Sequence, residues 1–139
     1  MQALLWHALD GAHKGSVQCD LCAHGRKKKK GDKGLCGVRA NSNGELVTLV
    51  GNVVTAVNMD PVEKKPLYHF LPGSRTFSIG SAGCNFFCKY CQNSSIAHIP
   101  PSGLVPGKRA TPEGLIVLAQ ENHARSMAFT YNEPTVFFE

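Results

Sequence analysis

A chain of 139 residues with 42% hydrophobic, 8% aromatic and 18% charged residues has the make-up of an ordinary globular protein, which excludes a disordered or low-complexity chain. Its formal net charge of +5 is concentrated in Arg26-Lys27-Lys28-Lys29-Lys30, so the basicity is local and not a whole-surface nucleic-acid footprint. No run approaches the roughly 20 apolar residues of a membrane span, and the apolar start is too short for an export signal; a cytoplasmic location with no membrane partner is expected.

In that compartment thiols stay reduced, so the six cysteines argue for metal or catalytic use rather than disulfides. They fall into two groups, Cys19, Cys22, Cys36 and Cys84, Cys88, Cys91, and two sites are expected.

Residues 1–16 read as a leader with weak helical character around Leu4, Leu5 and Ala8, punctuated by Gly11 and Gly15. Cys19-Asp20-Leu21-Cys22 is a Cys-x2-Cys knuckle. With Cys36 it could close around zinc or an iron cluster, His24 being a candidate fourth ligand that stands only two residues after Cys22. The lysine tract between them reads as a solvated, self-repelling loop. A nucleic-acid patch is the alternative, but no aromatic residues interleave with the lysines to stack bases.

From Val38 to Val57 the pattern is β. Asn41-Ser42-Asn43-Gly44 is a turn cluster, and the runs 46–50 and 53–57 are rich in β-branched residues and joined by Gly51-Asn52. A small antiparallel unit ending at Asn58-Met59-Asp60-Pro61 is expected. Residues 64–73, with Leu67, Tyr68, Phe70 and Leu71 fenced by Pro66, Pro72 and Gly73, read as an extended connector packing its aromatics onto the second half.

Residues 75–80 form a short strand, and from its carboxyl end runs Gly83-Cys84-Asn85-Phe86-Phe87-Cys88-Lys89-Tyr90-Cys91. Three thiolates at Cys-x3-Cys-x2-Cys spacing on one tight loop suit a [4Fe–4S] cluster with one iron left open to a small molecule. A structural zinc ion takes four protein ligands at other spacings. Residues 94–110, with Pro100, Pro101 and Pro106, are irregular. Thr111-Pro112-Glu113 then opens a helix with N-cap, N1 proline and an acidic first turn. Leu115, Leu118 and Ala119, beside Ile116, are its buried stripe, and the helix ends near His123. Residues 126–130 read as a compact buried strand. Strand, loop, helix, strand is a βαβ unit of a parallel sheet. It places the cysteine loop and Glu133 at neighbouring carboxyl ends, facing each other, where α/β sheets and barrels hold ligands.

The cysteine spacing, with an aromatic before the third cysteine, resembles the signature of radical S-adenosylmethionine (SAM) enzymes. Together with Cys19-x-Leu21-Cys22-x-His24, Gly34-x-Cys36-x-Val38-Arg39, Lys65-Pro66-Leu67-Tyr68-His69-Phe70-Leu71-Pro72-Gly73 and Thr130-Tyr131-Asn132-Glu133-Pro134-Thr135, it is similar to the AmmeMemoRadiSam-system radical SAM proteins, relatives of pyruvate formate-lyase-activating enzymes. The similarity runs from about residue 4 onward. It implies that Cys84, Cys88 and Cys91 hold three irons of a [4Fe–4S] cluster, whose fourth iron binds the amino and carboxylate groups of SAM. Reductive cleavage then gives methionine and a 5′-deoxyadenosyl radical that abstracts hydrogen from a substrate. Tyr90 would pack near the adenine, and Asn132-Glu133 stands where relatives carry a Gly-Gly-Glu segment that contacts the SAM amino group. Asn132 would otherwise cap a helix starting at Pro134, with Glu133 an ordinary first-turn acid. An electron donor is implied, and either a protein substrate or a small molecule.

Two departures stand out. Relatives commonly carry a further cysteine where this chain has Arg26, which leaves the N-terminal site incomplete, metal-free or completed by His24. A full (β/α)8 barrel takes about 250 residues, so the chain is expected to be a fragment, inactive alone. The expected fold is α/β, with a small Cys-containing β module and connector at 1–73 and the first βαβ unit of a partial TIM-like barrel at 74–139. The rival readings are a zinc-binding nucleic-acid or protein interaction module and a simple electron carrier.

Overall fold

The computed structural model describes residues 1–100 and 103–139; Pro101 lies outside the described residues. Trp6–Ala8 (β1), Val17–Cys19 (β2) and Lys27–Lys28 (β3) form one antiparallel sheet in that order. The opening segment is thus a strand and not a weak helix. Gly11 and Gly15, at φ 60° and 85°, reverse the chain so that His7 lies opposite Gln18. The lysine tract is a solvated loop only in part, because Lys28 lies opposite Val17 and is buried.

Arg39–Ser42 (β4) and Glu45–Thr48 (β5) form a hairpin around Asn43 and Gly44, both at positive φ as a two-residue turn of this hand requires. Asn41 fastens it: its amide donates to the carbonyls of Gly15 and Lys28, and its Oδ1 accepts from the Gly44 amide.

Val53–Val54 (β6), Ala56–Pro61 (β7), Arg75–Gly80 (β8), Ser94–Ala97 (α1), Lys108–Arg109 (β9), Pro112–Glu121 (α2) and Ser126–Phe129 (β10) follow. The β-branched runs do become strands, but they do not pair with each other. β6 pairs with β9, and β7 pairs antiparallel with β8, with residues 58–61 inside β7 instead of ending the β unit. Composition favours extended backbone without choosing a partner. β10 pairs parallel with β8, Ser126 opposite Thr76, giving the sheet order β10-β8-β7. That sheet takes strands from both sides of residue 73.

β8 is buried along nearly its whole length, and its two faces differ. Phe77 and Ile79 pack with Leu115 and Ala119 of α2, where each large side chain contributes about 1.5–3 kcal/mol. Leu118 and Ile116 do not join that stripe; both are about half exposed. α2 begins as expected, Thr111 Oγ1 accepting from the Gly114 amide. β10 is an edge strand with Phe129 exposed, not a buried one. A second core joins Val38, Val50, Ala82 and Val136, and a third Ala3, Val17, Cys19 and Leu46. Tyr68 and Phe70 of the connector are exposed instead of packed.

The fold is mixed α/β, with several small sheets and few helices. There is no closed barrel among the described residues. No described helix is long and apolar enough to cross a membrane.

Candidate functional site

The cysteine loop leaves the carboxyl end of β8 as Ser81-Ala82-Gly83-Cys84. Ser81 Oγ donates to the Val53 carbonyl at 2.9 Å, and Ala82 is fully buried in the Val38 core. Gly83 has φ 87°, and a Cβ there would sit 2.5 Å from the carbonyl oxygen of Cys36 and 2.6 Å from Val38 Cγ1. Only glycine lets the strand exit so close to the N-terminal half. Cys84 is buried and its sulfur accepts from the Phe86 amide at 3.4 Å; Cys91 is half-buried and Cys88 exposed. Tyr90, between the last two cysteines, is 87% exposed.

The turn after β10 is fastened to this loop. Tyr131 lies at φ 75°, and its backbone carbonyl accepts from Asn93 Nδ2 at 2.7 Å. The Asn132 side-chain amide donates to the carbonyls of Ser81, at 2.5 Å, and of Gly83. Its buried Oδ1 has no partner among the described residues. The two polar clusters therefore do meet, but through Asn132. Glu133 instead caps the 3-10 turn Pro134–Phe137, accepting from the Thr135 amide and hydroxyl at 3.2 and 2.6 Å. The capping role that the alternative reading assigns to Asn132 is filled by Glu133.

Tyr131 itself lies over the polar face of the sheet. A Cβ on Gly80 would come 3.0 Å from its ring, and its hydroxyl donates to Asp60 at 2.8 Å while accepting from Asn58. Burial pushes the Asp60 carboxyl up, but the ammonium groups of Lys65 and Lys64 at 2.7 and 2.9 Å, with Tyr131, outweigh it. They hold the carboxyl well below the usual carboxylate range. Lys65, Leu67, Asn93, Met127 and Tyr131 line an open groove of about 890 Å³ beside the loop.

Cys19, Cys22, His24 and Cys36 line a single cavity of about 20 Å³, together with Lys28, Arg39 and Asn85. His24 Nε2 lies 2.9 Å from the carbonyl oxygen of Asn85, the residue after Cys84. The two cysteine groups, 48 or more positions apart in the chain, are thus packed through Gly83 and Asn85 against one another. Burial pushes the Cys36 thiol up, and the backbone amides of Val38 and Arg39 pull it part of the way back. Among the described residues, no three His, Cys, Asp or Glu side chains already stand close enough around one point to hold a metal ion.

Asn93, Asn85, Lys28, Arg39 and the Asp60–Tyr131 pair were not among the residues singled out by spacing. Except for Lys28, whose ammonium meets the nearby Arg26 carbonyl, each acts through a partner far along the chain, which no local pattern encodes.

No family model matches the chain, and no solved structure matches it. An uncharacterized protein of Methanocaldococcus jannaschii is similar to it, 36% identical over 138 residues that make up 99% of this chain and 40% of the relative. The chain thus spans about two fifths of the length of the curated relative it matches.

Proposed function

We propose that this chain is the N-terminal part of a radical SAM enzyme of the activating-enzyme type, with β8, α2 and β10 the first βαβ unit of a partial TIM-like barrel. The reading is carried by one observation: a loop with three cysteines at Cys-x3-Cys-x2-Cys spacing leaves one parallel strand and is fastened by Asn132 to the turn after its neighbour.

The donor set suits the group in kind. Each cysteine of a four-iron cube ligates a different iron, so its thiolates stand further apart than the ligands of a single ion. Sulfurs that do not converge on one point are compatible with a cube. Cys84, Cys88 and Cys91 would hold the cluster. When bound, such a cluster supplies one electron to S-adenosylmethionine, whose reductive cleavage gives methionine and a 5′-deoxyadenosyl radical.

The chain's own residues then have definite tasks. Asn132 spends both amide hydrogens on the loop, and its unpartnered Oδ1 is an acceptor suited to an ammonium group such as that of SAM. Glu133 keeps the following turn in place through Thr135. Tyr90 offers an exposed ring for an adenine to lie against, and the groove beside Lys65 and Tyr131 gives a substrate room next to the loop. An external one-electron donor completes the requirements.

Anaerobic reconstitution with iron and sulfide tests the reading without demanding turnover. Wild type should take up iron and acid-labile sulfide, Cys88→Ser should lose both, and SAM should change the electron paramagnetic resonance signal of the reduced wild-type protein. Iron retained by the Cys88→Ser variant, or zinc bound at this loop without sulfide, would overturn it.

A further inference from the structure

Lys28 and Arg39 are cations buried beside thiols. Lys28 is 3% exposed, and its ammonium reaches the Arg26 carbonyl at 3.2 Å. Arg39 is 1% exposed; one terminal nitrogen meets Glu139 at 3.0 Å and the Leu4 carbonyl, while Nε and Nη1 have no partner among the described residues. Both side chains line the cavity that Cys19, Cys22, Cys36 and His24 share. Lys28 has its carbonyl and Arg39 its carboxylate, but the two remaining guanidinium nitrogens of Arg39 are buried donors without an acceptor, which is costly unless an acceptor or anion meets them. On this wall the groups that can become anionic are the three thiols.

The histidine supplies the second clue. A carbonyl only accepts, so the His24 ring must present Nε2–H to Asn85, which leaves the Nδ1 lone pair of the neutral ring uncommitted. Metal-bound histidines commonly carry this arrangement: the far ring nitrogen donates to a backbone carbonyl, fixing tautomer and ring orientation. A cavity of about 20 Å³ also has room for one ion and not for a four-iron cube.

We infer that Cys19, Cys22, Cys36 and His24 Nδ1 form a mononuclear site for a zinc-type divalent cation, separate from the Cys84 loop. Coordination deprotonates the thiols outright. Three thiolates around a divalent ion carry one net negative charge, and it falls among the free N–H groups of Arg39 and the ammonium of Lys28. With the three thiolates, the histidine completes the tetrahedron. Half-exposed Cys22 and Cys36 move inward when the ion binds, since the donors do not converge without it. The His24–Asn85 bond makes the site a brace for the loop that begins at Cys84.

The inference stands independently of any cluster on that loop, and the test keeps the two apart. Fully reduced wild-type protein, stripped with chelator, is titrated with zinc alone, then pulsed with iodoacetamide and mapped by mass spectrometry. One equivalent of zinc should be bound, with loss of labelling at Cys19, Cys22 and Cys36 while Cys88 stays reactive. Cobalt in place of zinc should give the intense visible bands of a tetrahedral thiolate site. His24→Gln should shift them, and Cys36→Ser should abolish them. Protection of Cys84, Cys88 and Cys91 instead, no uptake by reduced protein, or cobalt bands unmoved by His24→Gln would overturn the inference. If Cys36→Ser does not fold, the labelling map of wild type decides.

Discussion

Asn132 and Ser81 are held 2.5 Å apart, side-chain amide to backbone carbonyl, and the same amide reaches Gly83 immediately before Cys84. One side chain thus joins the exits of two parallel strands. Asn132→Ala leaves two carbonyls unanswered, and a loss of about 1–3 kcal/mol is expected by urea denaturation. Iron uptake on anaerobic reconstitution should fall with it. A variant as stable as wild type would show that the loop holds its shape without this tie.

Gly83→Ala should be more damaging than a surface change. The new methyl meets the Cys36 carbonyl at 2.5 Å and Val38 at 2.6 Å, at a φ of 87° that side chains rarely adopt. Backbone cannot yield as a flexible side chain does, and left-handed backbone alone costs about 1–2 kcal/mol. Gly73→Ala, also at positive φ but with open space around it, is the control that isolates the clash: Gly83→Ala should lower the urea midpoint further.

Asp60 gives the fold an acid-sensitive element. Its carboxyl titrates lower in the folded protein than in the unfolded chain, where the usual value is about 3.9. Its contribution is therefore fully present above about pH 4 and lost as pH falls below that toward its folded value, because only the unfolded chain binds the proton there. Asp60→Asn should show a shallower loss of stability between about pH 4 and pH 2 than wild type. Parallel slopes in the two proteins would remove Asp60 from the account.

Thr111→Ala removes the side-chain oxygen that accepts from the Gly114 amide. A cost of about 1 kcal/mol is expected, read as a lower thermal midpoint, and Thr111→Asp should restore most of it. Since α2 covers Phe77 and Ile79, hydrogen exchange of β8 amides should quicken in Thr111→Ala as well.

Local chemistry was legible. Thr111-Pro112-Glu113 announces α2, and the strand of residues 75–80 is where its sequence puts it. Partners were not legible. The runs 46–50 and 53–57 look like one hairpin, yet β5 returns on β4 while β7 lies along β8, because burial across the whole chain decides the pairing. Leu118 matches the helical period of Leu115 and still faces solvent, because α2 covers only a narrow part of the sheet. At the site, the cysteine spacings mark both loops, but nothing in the sequence says that His24 reaches Asn85 or that Asn132, and not Glu133, meets the Cys84 loop. Those contacts bridge separations of 61 and 51 positions.

The parallel pairing of β8 and β10 also sets an order of assembly. β7 and β8 are neighbours in the chain, Arg75 reaching Met59 only 16 positions back, whereas Thr76 meets Ser126 across 50. Closing the shorter loop costs less entropy, so the β7–β8 hairpin forms first and the β10 strand docks late. Until then Asn132 is far from Ser81, and the Cys84 loop stands open on the side that the Tyr131 turn will cover. For the cluster proposed on Cys84, Cys88 and Cys91, this order predicts a higher yield of loaded protein when iron and sulfide are present during refolding than when they are added afterwards.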